Sequence, residues 1–233
     1  IAKHEDDNLL LLSGVDSNKD QSYFLHGLNQ QQLASSIFPL GDLSKVQVRE
    51  IARDLKLTIH DKKDSTGICF IGERKFREFL ENYLDNKQGE IVDTEGKLLG
   101  HHQGVTFYTL GQRQGLGIGG MTHAKDQPWY VVDKDLDQNR LIVAQGNEHT
   151  RLFNSGLIMQ NMHWINPDYP VPDALSAKIR YRQAPQQCKI SALNDQNYQI
   201  DFDQSQRAVT PGQYAVLYDD NVCLGGGVIH QRL

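Results

Sequence analysis

WYVVDKDLDQNRLIVAQG, residues 129–146, decides the fold class of the second half of the chain. WYVVDKD (129–135) and NRLIVAQG (139–146) are short runs rich in β-branched and aromatic residues, joined by a polar turn, which is the pattern of a β-hairpin. Working downstream, SAKIRYRQ (176–183), QCKISAL (187–193), YQIDF (198–202), YAVLY (214–218) and VCLGGGVI (222–229) recur with turn signals between them. That rhythm predicts a small antiparallel barrel or sandwich. In this reading Arg180 and Arg182 alternate with Tyr181 along a strand and share one face. Working upstream, residues 90–99 read as a second hairpin with its turn at 93–96, and the texture changes at Gly89. Residues 111–120 hold five glycines and read as a long surface loop. Before residue 85 the periodicity is helical. Asn29 is placed to cap a segment with Leu33, Ala34 and Ile37 on one face, and Ser44 and Gln47 form an S-x-x-Q capping box ahead of Val48, Ile51, Ala52 and Leu55. A third stripe joins Phe76, Phe79, Leu80, Tyr83 and Leu84.

With 233 residues the chain can build two or three small domains. Charged residues at 23% and hydrophobic ones at 39% exclude wholesale disorder. A net charge of −5 means that any nucleic-acid partner has to be held by a local basic patch. No apolar run approaches the roughly 20 residues of a membrane span, and no secretion signal opens the chain, so a cytoplasmic protein with no membrane partner is expected. The polar start at Ile1 reads as the middle of a longer protein. Three dispersed cysteines, Cys69, Cys188 and Cys223, suit neither a disulfide framework nor a metal site.

Two glycine motifs invite a nucleotide reading, and their context argues against both. Gly115, Gly117 and Gly120 spell G-x-G-x-x-G without the flanking strand and helix that a dinucleotide site needs. SGVDS (13–17) is one glycine short of a pyrophosphate loop, and no periodic helix follows it. Cys188 and Cys223 lie in apolar strand patterns and read as core. Cys69, in KKDSTGICFIG (62–72), has Lys62 and Lys63 close behind, and cationic neighbours favour the thiolate, which is the reactive form. From spacing alone Cys69 reads equally as core or chemistry. No histidine has a spacing that fixes it beside Cys69, which weakens a cysteine hydrolase.

NKDQSYFL (18–25), FPLG (38–41), KKDSTGICFIGERKF (62–76), TLGQRQGLGIGG (109–120), WYVVDKD (129–135), RYRQ (180–183), TPGQ (210–213) and CLGGG (223–227), in this order, resemble the bacterial tRNA-specific 2-thiouridylases. The resemblance implies an α+β fold in three parts. These are a helical remnant of a PP-loop Rossmann-like domain (1–86), a small glycine-rich central domain (87–136) and a C-terminal antiparallel β-barrel (137–233). It implies that Cys69 carries a persulfide, that Asp64 supports its loop, and that a cysteine upstream of Ile1 closes a disulfide with Cys69. It places tRNA contacts on Lys19, Asp20, Gln21, Arg180, Tyr181 and Gln213. ATP with Mg serves the complete enzyme. The loop that binds it lies upstream, so that this chain by itself is expected to hold no cofactor or metal and to be inactive. The implied partners are tRNA and a persulfide-carrying sulfur donor, and the expected state is a monomer. Two other functions fit the residues: an RNA-binding module without chemistry, and a persulfide relay.

Overall fold

The computed structural model describes residues 2–3, 8–62, 87–118 and 127–233. In chain order the elements are β1 (Ala2–Lys3), β2 (Leu9–Leu12), α1 (Ser22–Leu25), α2 (Gln30–Ala34), α3 (Lys45–Asp54), β3 (Gly89–Val92), β4 (Leu98–His102), β5 (Trp129–Asp135), β6 (Arg140–Gln145), β7 (Phe153–Trp164), β8 (Leu175–Lys178), β9 (Gln186–Ala192), β10 (Tyr198–Arg207), β11 (Tyr214–Asp219) and β12 (Val222–Arg232). They form two compact units, one of Ile1–Lys62 with Ser155–Leu233 and one of Lys63–Asn154. The expected helical stripe at residues 73–84 lies outside the described residues.

In the first unit β12, β11, β8, β9, β10 and β7 follow one another around a closed six-stranded barrel, sealed by pairing of β12 with β7. Alternate residues point inward, and Leu157, Met159, Ala177, Ile200, Ala215, Leu217 and Ile229 fill the interior. The glycine run of β12 makes the closure possible. A Cβ on Gly226 would stand 2.7 Å from the Ala215 carbonyl oxygen, and one on Gly227 would stand 2.6 Å from that of Gln160. Only bare backbone passes that closely, and the register shifts there. β2 extends the sheet by pairing with β12, and Leu11, Tyr23 and Leu33 share a core with Ile165, Val216, Tyr218 and Cys223. Residues 8–62 therefore belong to the barrel's own unit, whereas the sequence divided them from it.

The second unit holds a four-stranded mixed sheet, β4-β3-β6-β5. Both expected hairpins are present, and parallel pairing of β3 with β6 joins them. The expected boundary at 136/137 falls in the turn between β5 and β6, which are hydrogen-bonded neighbours, so the division moves to 154/155. NRLIVAQG thus belongs to the mixed sheet. The barrel starts with β7, a strand the alternation reading passed over. The glycine-rich stretch is also less open than expected. The Gly111 N–H donates to the Val131 carbonyl and the Val131 N–H to the Gln112 carbonyl, and Leu116 and Ile118 are buried beside Gly115 and Gly117, which take positive φ. His102 is fully buried, its Nδ1 accepting from the Gly104 N–H at 3.1 Å and its Nε2 lying 3.0 Å from the Asn139 carbonyl, which makes it a neutral core residue.

The helices begin where the caps require. Asn29 and Gln32 form one capping box and Ser44 and Gln47 another. Leu33 is buried, but Ile37 lies beyond the end of α2 and is exposed. No residue of α3 is buried, with Ile51 45% exposed and Leu55, just past the helix, 66% exposed, so the helix is amphipathic in sequence and its apolar stripe is uncovered among the described residues. Among the described residues no helix is long and apolar enough to cross a membrane.

Candidate nucleic-acid interface

The candidate surface is organised by a carboxylate. Asp20 Oδ1 accepts from the backbone N–H of Gly14 at 3.0 Å and of Ser22 at 3.1 Å. Its Oδ2 accepts from Ser22 Oγ at 2.8 Å and from Lys178 Nζ at 3.0 Å. The Asp20 and Lys178 side chains are 4% and 9% exposed. Burial pushes the Asp20 carboxyl up, but the donors from Gly14, Ser22 and Lys178 outweigh it and hold the group below the ordinary carboxylate range. Ser22 Oγ lies 3.1 Å from Tyr218 Oη, and Lys178 Nζ sits 4.7 Å from the centre of the Tyr218 ring. Asp20 was expected to touch RNA. Its carboxylate is buried with four donors and locks the turn before α1 onto β8 and β11.

That lock carries the neighbouring residues with it. Tyr23 is buried and its hydroxyl donates to the Tyr214 carbonyl at 2.9 Å, tying α1 to β11. The Phe24 ring, 60% exposed, lies 4.5 Å from the Tyr181 ring at an interplanar angle of 39°. His26 lies 4.6 Å from the exposed Tyr214 ring. Gln21 is exposed at the head of α1, and Lys19 is half-buried in the preceding turn. Gln213 is exposed in the turn before β11, where Gly212 takes a φ of +87°.

RYRQ is a turn and not the strand its alternation suggested. β8 ends at Lys178, the Gln183 N–H donates to the Arg180 carbonyl, and Gln183 Oε1 accepts the Ile179 N–H at 3.1 Å. Pro185, which lacks an N–H and restricts Ala184 before it, stands between this turn and β9. Arg180 donates to the Ala208 carbonyl at 2.7 Å, and among the described residues no carboxylate pairs with it. Burial lowers the pKa of its guanidinium and the positive charge of Arg207 lowers it further, which marks a locally cationic spot on an acidic protein.

Segments 19–26, 178–181 and 213–214 therefore meet on one unit, although nearly two hundred residues separate the first from the last. The sequence reading missed Phe24, Lys178 and Tyr214, since an apolar ring, a lysine and a strand tyrosine carry no local mark of their position. Cys188 and Cys223 are buried as expected, and burial pushes each thiol up to about 12. Cys69 and Asp64 lie outside the described residues. The SGVDS stretch does not suit a triphosphate. Its Ser13 N–H bonds the Asn221 carbonyl, its Gly14 N–H is taken by Asp20, and α1 is only four residues long.

Family models account for most of the chain. Residues 1–73 match the tRNA methyl transferase HUP domain, 77–145 the tRNA methyl transferase PRC-barrel domain, and 154–229 the aminomethyltransferase β-barrel domain. A tRNA-specific 2-thiouridylase MnmA of Shigella boydii serotype 4 (strain Sb227) is 56% identical over 225 residues, covering 96% of this chain and 61% of its own length. The protein of that name in Shewanella oneidensis (strain ATCC 700550 / JCM 31522 / CIP 106686 / LMG 19005 / NCIMB 14063 / MR-1) is 53% identical over 231 residues, covering 99% and 62%. The chain belongs to the tRNA-specific 2-thiouridylase family. It spans about three-fifths of the length of these thiouridylases. The aminomethyltransferase β-barrel match begins at residue 154, beside the start of β7, where the two compact units divide.

Proposed function

We propose that this chain is the RNA-holding and sulfur-delivering part of an enzyme that replaces the C2 oxygen of the wobble uridine of tRNA with sulfur. The supporting observation is the convergence of Lys19 and Gln21, Arg180 and Tyr181, and Gln213 around the Asp20–Lys178 lock. A guanidinium without a carboxylate partner suits a phosphate, while aromatic rings and exposed amides suit bases and sugar.

In this reading Cys69 accepts a persulfide sulfur from a donor protein. Adenylation of the C2 oxygen, with ATP held upstream of these residues, releases pyrophosphate and turns a poor leaving group into a good one. The terminal persulfide sulfur attacks C2, the bond from C2 to the AMP oxygen breaks, and AMP departs. A second thiolate, also upstream, then attacks Sγ of Cys69. The S–S bond to the base breaks, its electron pair stays on the sulfur at C2, and the two cysteines are left as a disulfide. The glycines at 67 and 72 suit that role, because the sulfur has to meet a donor and then a base.

Gel-shift titrations with unmodified tRNA at several salt concentrations test the binding step. The chain shifts tRNA, and Arg180→Ala weakens binding to all tRNAs alike and flattens the log–log salt dependence by about one unit, the loss of one phosphate contact. A chain that shows no shift at low salt refutes the reading.

A further inference from the structure

We propose that Phe24, backed by Tyr181, is the platform on which an unpaired base of the bound RNA stacks, a proposal that rests on the reading of this face as tRNA-binding. Phe24 is a large apolar ring at 60% exposure on an element that is otherwise tied down. Ser22 and Tyr23, the two residues before it, are buried, Tyr23 is bonded to the Tyr214 carbonyl, and Asp20 fixes the entry to the helix. The ring is therefore held in place before any ligand arrives, and little ordering entropy remains to be lost on binding.

One side of Phe24 is supported by Tyr181 at 4.5 Å, and Tyr181 packs in turn against the core of Leu11, Tyr23 and Tyr218. This divides the labour differently from the sequence, where Tyr181 was the stacking residue. Tyr181 is only half exposed and is met by Phe24, so the free aromatic surface belongs to Phe24 and Tyr181 is a positioning residue. The residue before Tyr181 in the turn is Arg180, with no carboxylate partner among the described residues and with Arg207 nearby. An exposed apolar ring alone fits many occupants. A rigid ring beside a guanidinium fits a group that is a flat π-system at one end and an anion at the other, which is a nucleotide of a single-stranded segment.

The test is fluorescence anisotropy of a labelled unmodified tRNA, titrated at three salt concentrations with the parent chain and its Phe24→Ala, Phe24→Trp, Tyr181→Phe and Arg180→Ala variants. Phe24→Ala weakens binding roughly tenfold with an unchanged salt slope, as loss of one stacked base requires. Phe24→Trp and Tyr181→Phe bind as the parent does, because each keeps the rings in place. If Phe24→Ala binds like the parent while Arg180→Ala weakens binding, the platform is wrong and the RNA-binding face stands. A Phe24→Trp chain as weak as Phe24→Ala also overturns the platform. If the parent chain itself does not bind tRNA, the underlying reading fails with it.

Discussion

Replacing Lys178 with methionine keeps most of the length of the side chain and removes its charge, leaving Asp20 buried without its counter-ion. At 3.0 Å the pair's attraction is roughly 5 kcal/mol at an effective dielectric near 20, offset by a desolvation cost of several kcal/mol for each ion. The intact pair is therefore worth little relative to a well-packed apolar pair, but a broken pair leaves that cost uncompensated. The expected loss is about 3–5 kcal/mol, a large part of the ~5–15 kcal/mol that holds a domain together. Urea unfolding reports it through Trp164, which lies in this unit, once Trp129 of the other unit is replaced by phenylalanine. Asp20→Asn combined with Lys178→Met should cost less than the sum of the single changes by at least about 2 kcal/mol, since the two groups share one interaction. The pH dependence has a definite sign. The folded Asp20 carboxyl sits below its ordinary value, so its contribution is complete above the unfolded carboxylate range, about pH 4, and is lost as pH falls through the folded value. A Lys178→Met loss below about 1 kcal/mol, or strictly additive single changes, would refute the lock.

Three further outcomes are expected. Under native conditions a thiol reagent at pH 8 modifies Cys69 well before Cys188 and Cys223, whose thiols are buried and raised to about 12; mass spectrometry of labelled peptides checks this, and equal labelling of all three counts against a reactive Cys69. The chain by itself releases no pyrophosphate from ATP in the presence of tRNA, because the Ser13, Gly14 and Val15 N–H groups of SGVDS are committed internally; tRNA-dependent pyrophosphate release by the pure chain overturns this. Burial lowers the His102 pKa, so protonation opposes folding, and the mixed-sheet unit loses stability as pH falls below the ordinary histidine range of about 6.5; urea melts at pH 8 and pH 5 followed by Trp129 test it, and a His102→Gln chain with the same pH dependence would contradict it.

The sequence alone determined what depends on neighbours along the chain. The Ser44–Gln47 box, the Asn29 cap, the 93–96 turn and the 129–146 hairpin are all set by contacts within a few residues, and each appears where those residues place it. Blocks such as RYRQ and TPGQ also pointed to family and chemistry, because their residue types survive reading in one dimension. Tertiary structure decided whatever depends on who lies opposite. Alternation in RYRQ looks like a strand until the Gln183 side chain takes the Ile179 N–H and closes a turn. The glycine-rich stretch looks open until Leu116 and Ile118 find a core. Asp20, named by resemblance as a tRNA contact, has an interior carboxylate because Lys178, 158 residues away, arrives 3.0 Å from it and makes burial of its charge affordable in free energy. Phe24 faces solvent beside Tyr181 for the same reason, since the fold that buries Ser22 and Tyr23 leaves the next ring on the outside.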